Sequence, residues 1–423
     1  RALGAQDIAL FGRVVSARVP ISALPVMNSL SSIRFARPAM MTSNAGLVTS
    51  QGDIAQRSDL ARAAFGVTGM GVRVGILSDS FDRSGTGTQT ALDIASGDLP
   101  ADVQVLYDVT DGSLLDEGRA MAQIVHDVAP GAGIGFYSAW SGQASFAQGI
   151  IALMNAGCQV MVDDVIYYAE PMFADGIIAQ AVDTVTASGV AYFSSAGNQA
   201  RQGWEESGGY RHSGIYPPVA TFGGEAHDFN PGNAVDPDLL VTVPGGEYVM
   251  IVLQWAQPYA STSPSSPGAS TDLDIYVERA DDPSWSTGAA AANIGWDPIE
   301  QIVIFNPDPI SHDYKVYIVK YLDPLYPPES QTDPPFMKMV WFGAMTINEY
   351  PAQRDKGTVY GHSNSGGAVA VGAARYHHTP PYGINPPLLE YFSSAGPTPI
   401  FFLPNGAPTY ALRLKPQLVG PDG

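Results

Sequence analysis

Between residues 72 and 197 the chain alternates two patterns. Short apolar, β-branched runs, "VRVGIL", "VQVLYDV", "IGFYSA", "CQVMVDDVI" and "VAYFSSAG", read as strands buried on both faces. Between them lie longer stretches with apolar positions at helical spacing, "EGRAMAQIVHDV", "SFAQGIIALMNAG" and "DGIIAQAVDTVTASG". Strand and helix in turn predict an α/β domain built on a doubly wound, mostly parallel sheet.

The alternation stops near residue 224. "LLVTVPGGEYVMIVLQW", "TDLDIYVERA", "EQIVIFNP", "DYKVYIVKY" and "FMKMVWFG" read as strands separated by Pro, Ser, Gly and Asp turns. This predicts an inserted antiparallel β-sandwich over 224–345. The α/β pattern resumes with "GGAVAVGAARY". The α/β domain then comprises 58–223 and 346–423. Residues 1–57 form a region of their own, with a strand, a short helix after Pro25, a second strand and a polar connector. "DLARAAFG" follows as a short helix.

Composition narrows the function. The 423 residues include 45 Gly and 34 Pro, consistent with many turns, and the formal charge is −20. Phosphate binding needs a basic surface, so a nucleic-acid partner is not expected. No apolar run is long enough to span a membrane. Cys158 is the single cysteine and sits in an apolar run, which predicts a buried structural thiol. Few basic residues, many Gly and Pro and almost no Cys fit a secreted or periplasmic bacterial protein. The start at Arg1, without Met, fits a processed chain.

Chemistry concentrates at the ends of the strands, where open α/β sheets bind ligands. "VGILSDSFD" places Asp79 at the end of the first strand, and "VAYFSSAGN" places Asn198 at the end of another. "LLDEGRAMAQIVHDVAPGA" (114–132) opens a helix with Asp116 and Glu117, and Gly118 allows a close approach to the backbone. "VAVGAARY" and "FSSAGP" come later.

In this order and spacing the segments resemble the subtilisin-like serine peptidases, over about residues 60–223 and 346–423. The resemblance implies that Asp79 is the catalytic Asp and Asn198 the oxyanion donor. It also implies that Glu117 stands where the family has its histidine base. Sedolisins, a related family, use Glu at that position. An ordinary glutamate, with a pKa of about 4.3, is a weak base near neutrality. A neighbouring carboxylate, Asp79 or the pair Asp163 and Asp164, would raise it. "DDVIYY" aligns with the family's substrate-lining strand, so both of those aspartates are expected to face the cleft. The plain alternative for Glu117 is a first-turn acid that favours the helix dipole. For Asn198 it is a turn residue after Gly197. His126, nine residues beyond Glu117, reads as structural.

The family's "GTS-x-A-x-P" nucleophile motif is absent. Ser363 and Ser365 in "GHSNSGGAVAVG" precede the strand that the family's serine follows, so they read as loop serines. The nucleophile is expected beyond Gly423, on a C-terminal fragment of the same precursor or on a part of it lost by truncation.

The resemblance thus implies an endopeptidase acting on a polypeptide substrate. Its rivals are a non-catalytic binding module and a glycan-binding adhesin. Residues 8–40 look similar to the tail of a propeptide, which would block the cleft; an N-terminal extension is the alternative. No cofactor is expected with certainty. Asp272 and Asp274 share a strand face, which suits either a structural calcium or plain solvation. Trp255, Tyr259, Trp285 and Trp296 read mostly as sandwich core, with a carbohydrate or peptide surface as the alternative.

Overall fold

In the computed structural model, the described residues are 3–30, 32–33, 35–38, 41–42, 51–83, 87–109 and 114–423. Seven parallel strands form the central sheet: β1 Arg73–Ser78, β2 Gln104–Tyr107, β3 Gly133–Ser138, β4 Val160–Asp163, β5 Ala191–Ser195, β6 Ala368–Arg375 and β7 Leu418–Asp422. Their spatial order is β2-β3-β1-β4-β5-β6-β7. Helices α1 Gln89–Ser96, α2 Glu117–Val128, α3 Gln143–Asn155 and α4 Ile177–Ala187 connect the first five strands. β1 lies between β3 and β4 in the middle of the sheet, with helices on both of its faces, so both faces need apolar side chains. Ile76 joins a core with Phe136 and Ala122 of α2 on one face. Leu77, one residue on, joins Met161, Ile150 and Val182 on the other. Cys158 is buried, and burial pushes its thiol up to about 11, as suits a structural residue.

The insertion is an antiparallel sandwich. One sheet runs Gly203–Glu206, Met337–Gly343, Tyr248–Trp255, Ile299–Phe305; the other contains Asp272–Arg279, His312–Tyr321 and Leu239–Val243. Ile251, Leu253, Ile275, Ile304, Ile318 and Trp341 meet in the core between them. Gly203–Glu206 already belongs to this sandwich, just past Asn198. The Tyr248–Trp255 strand is buried on its outer face as well. There Met250, Val252, Val340 and Phe342 pack against Tyr168, Met172 and Phe173 of the α/β domain. Each such large side chain, when fully buried, contributes about 1.5–3 kcal/mol. Trp255 lies in the sandwich core, with Trp285 packed against it, and Tyr259 is buried where the two domains meet.

At the N-terminus, Gln6–Phe11 and Val14–Arg18 form a hairpin on α3, and Leu24–Met27 is a short helix. Among the described residues no helix is long and apolar enough to cross a membrane.

Candidate functional site

The chain leaves β1 through Ser78 and Asp79, both buried. Asp79 accepts hydrogen bonds from the backbone N–H of Leu115 and of Glu117, each at 2.9 Å, and from that of Ser80. The first N–H groups of a helix have no intrahelical acceptor. Asp79 therefore caps α2 from a different strand. Asp116 is held in the left-handed region (φ 58°). It accepts from the Ser80 hydroxyl (2.9 Å) and the Arg83 N–H (2.6 Å) and pairs with Arg119 at 3.3 Å.

Glu117 turns inward, and its Oε2 accepts from the Ser78 hydroxyl at 2.5 Å. The close approach expected at Gly118 is present. A Cβ there would lie 2.2 Å from the Phe136 ring and 2.8 Å from the Ser80 carbonyl oxygen. Asp79 and Glu117 are thus joined through the Glu117 N–H. Both residues sit at the N-terminal, positive end of the α2 dipole. His126 lies in the last turn of the same helix, away from this cluster.

A second cluster forms at the ends of β4 and β5. Leu77 is in register with Asp163, and Asp163 with Ser194, so these ends adjoin that of β1. The connection from β1 runs to one side of the sheet and that from β4 to the other, which marks a topological switch point. A small pocket of about 20 Å³ here is lined by Asp164, Ser195, Asn198, His362 and Ser363, among others. Asn198 is exposed, after Gly197 at φ 96°. Burial raises the pKa of Asp164, the Ser195 hydroxyl lowers it, and the Asp163 charge adds to the rise.

Asp163 does not line this pocket, which corrects the expectation that both aspartates face the cleft. Successive strand side chains point to opposite faces, and Asp163 points into the interior. There its Oδ1 accepts from the Ser194 hydroxyl (2.8 Å) and meets His362 Nε2 at 3.0 Å. His362 Nδ1 meets Glu170 Oε1 at 2.8 Å, and the His362 N–H donates to Glu170 Oε2 at 2.8 Å. Burial opposes charge on this imidazole, but Glu170 and Asp163 outweigh it and push the pKa up to about 10. Sequence reasoning passed over His362, reading "GHSNSGG" for its serines alone. A histidine in a Gly-rich turn before a strand is a faint signal, and its partners lie 192 and 199 residues away. The neighbouring serines are occupied as loop residues: the Ser363 hydroxyl donates to the Tyr360 carbonyl (3.1 Å), and that of Ser365 accepts from the Ala368 N–H (3.1 Å).

Beyond β4, the short strand Ile166–Tyr167 pairs antiparallel with Met41–Thr42. Upstream in the same N-terminal segment, Arg37 donates to the Ala169 carbonyl at 3.1 Å and pairs with Asp297 of the sandwich at 3.6 Å. An extended piece of polypeptide therefore lies along the strand next to the Asn198 pocket, of which Ile166 is also a wall.

Asp272 and Asp274 are buried rather than solvated, contrary to the plainer expectation. Asp272 accepts from the Asn293 N–H and Asp274 from the Tyr276 hydroxyl. Among the described residues no group of three or more His, Cys, Asp or Glu is arranged to hold a metal ion.

No protein-family model matches the chain, and no curated protein is similar to it in sequence. Among solved structures it is similar to the CspB protease of Clostridium perfringens, at 12% identity and a TM-score of 0.45, over 88% of this chain and 79% of that one. It is also similar to the self-cleaved protease domain of PatA, at 23% identity and a TM-score of 0.23, over 32% of this chain and 52% of that one. A third likeness is to a carbohydrate-binding module of Cellvibrio mixtus lichenase 5A in complex with cellotriose. It has 16% identity and a TM-score of 0.17, over 36% of this chain and 98% of that one. The chemistry of the site rests on its own residues.

Proposed function

We propose that this chain belongs to a subtilisin-like serine endopeptidase that acts on extended polypeptides outside the cytoplasm. The observation that carries the reading is the antiparallel pairing of Met41–Thr42 with Ile166–Tyr167. It supports a strand edge that accepts polypeptide backbone by β-augmentation, beside a pocket lined by an exposed asparagine. In this reading Met41–Thr42 stands where a substrate would lie.

The proposed steps use residues at the carboxyl edge of the sheet. A serine hydroxyl, supplied from outside these 423 residues, attacks the scissile carbonyl, and its proton passes to Glu117. Asn198 donates to the oxyanion that forms. Glu117 returns the proton to the leaving amine as the C–N bond breaks, and water then releases the acyl group by the same route. Asp79 holds the helix entrance that carries Glu117. Asp164 contributes a partly desolvated carboxyl to the pocket wall.

The test is a fluorophosphonate probe applied to the complete protein, with intact-mass analysis of every polypeptide present. Labelling of a serine on a second polypeptide, or on sequence beyond residue 423, is the expected result. A complete protein that folds, takes up no label and cleaves no peptide is a binding module instead.

A further inference from the structure

The strand Ile166–Tyr167 is bracketed by two carboxylates, Asp163 three residues before Ile166 and Glu170 three residues after Tyr167. Both end on the two ring nitrogens of one buried imidazole, at 3.0 and 2.8 Å. The backbone joins in, because the His362 N–H donates to the second Glu170 oxygen at 2.8 Å. Gly361 permits this approach: its φ is 68°, and a Cβ there would lie 2.8 Å from Glu170 Oε2. The same turn holds the strand a second time, through the Tyr360 hydroxyl donating to the Tyr168 carbonyl at 3.0 Å. The Phe146 ring, from α3, meets the imidazole in a T-shaped contact with centroids 5.0 Å apart.

We infer that His362 is a positioning residue, whose imidazolium pins both ends of the polypeptide-accepting strand and so sets its register toward an extended chain. The inference rests on the reading of Ile166–Tyr167 as that strand. Two carboxylates buried on either side of one ring repel each other and are costly to desolvate; a cation between them offsets these penalties. Charge explains the geometry where packing does not. A neutral side chain of similar size would fill the space but leave Asp163 and Glu170 without a counter-ion. The charged state given above, with a pKa near 10, agrees with this role.

Native-state hydrogen exchange on the full chain tests the inference without any need for catalysis. In H362Q, amides of the paired segments 41–42 and 166–167 should exchange at least tenfold faster, while those of the sandwich strand Tyr248–Trp255 keep their wild-type rates. H362Q/E170Q, which removes one of the stranded carboxylates, should recover most of that protection; a residue that merely fills space would show no such rescue. Wild-type exchange at 41–42 and 166–167 in H362Q, equal acceleration throughout the molecule, or no rescue would each overturn the proposal. Should H362Q fail to fold, E170Q alone carries the test: at least threefold faster exchange at 166–167 supports the pin, and no change overturns it. A protein that ignores the fluorophosphonate probe yet shows this pattern loses the peptidase reading and keeps the pin.

Discussion

Asp79 and Glu117 meet through the main chain: the N–H of Glu117 donates to Asp79 Oδ1 at 2.9 Å, while the Glu117 carboxylate turns to Ser78. The first strand and the helix that carries the proposed base are thereby locked together before either side chain does any chemistry. Asp79→Ala should remove the acceptor for the buried Glu117 amide and the half-buried Leu115 amide at the helix entrance and cost about 1–3 kcal/mol of stability. Urea unfolding of the two proteins measures it. A difference below about 0.5 kcal/mol would contradict the capping role.

The proposed base predicts a kinetic outcome. Glu117→Gln can keep the Ser78 hydrogen bond, so folding should be little changed, but an amide cannot take a proton. Peptide hydrolysis by the complete protein should fall by about 10²–10⁴. Turnover at the wild-type level would remove Glu117 from the mechanism.

Gly118 offers a steric test. In Gly118→Ala the new methyl meets the Phe136 ring and the Ser80 carbonyl, and a main-chain oxygen cannot swing aside as a side chain can. A loss of about 1–3 kcal/mol is expected, as for overpacking in a core. Trimming the ring in Gly118→Ala/Phe136→Leu should recover part of it. Thermal melts of the single and double variants decide this.

Stability of the sandwich should fall as pH rises. Burial pushes Asp272 up to about 6, Asp274 to about 7 and Glu300 to about 9. In the unfolded chain these groups lose their protons near pH 4, whereas the folded protein keeps them to between 6 and 9. The folded state thus binds more protons over that window, and its stability declines from about pH 4 to about pH 9. Glu300→Gln should flatten the upper part of the decline, read as Tm against pH. A slope identical to that of the wild type would mean Glu300 does not titrate late.

What was legible in the sequence was whatever is local or periodic. β1 reads as a strand because helices bury it on both faces of the sheet, and α2 begins at Glu117 because Asp116 turns the chain into it. The sandwich strands carry enough β-branched and aromatic residues to stand out, yet Gly203–Glu206 did not. Its four residues, GWEE, pair with Met337–Gly343 from more than 130 positions away. The same distance hid His362, because a charge balanced by Asp163 and Glu170 leaves no pattern along the chain. Asp272 and Asp274 alternate as a solvated strand would, and the Asn293 N–H that meets Asp272 comes from 21 positions away.

The outer face of the sandwich, where Met250, Val252, Val340 and Phe342 lie on Tyr168, Met172 and Phe173, has a consequence for how this protein can be divided. The insertion is not a detachable accessory. Cut free, it would present a greasy sheet to water, and the remaining α/β half would lose the backing of the loop that follows Ile166–Tyr167. Neither half is a natural unit for expression, grafting or swapping with a relative. A rearrangement that loosened the hold of the sandwich on that loop would also disturb the strand beside the Asn198 pocket.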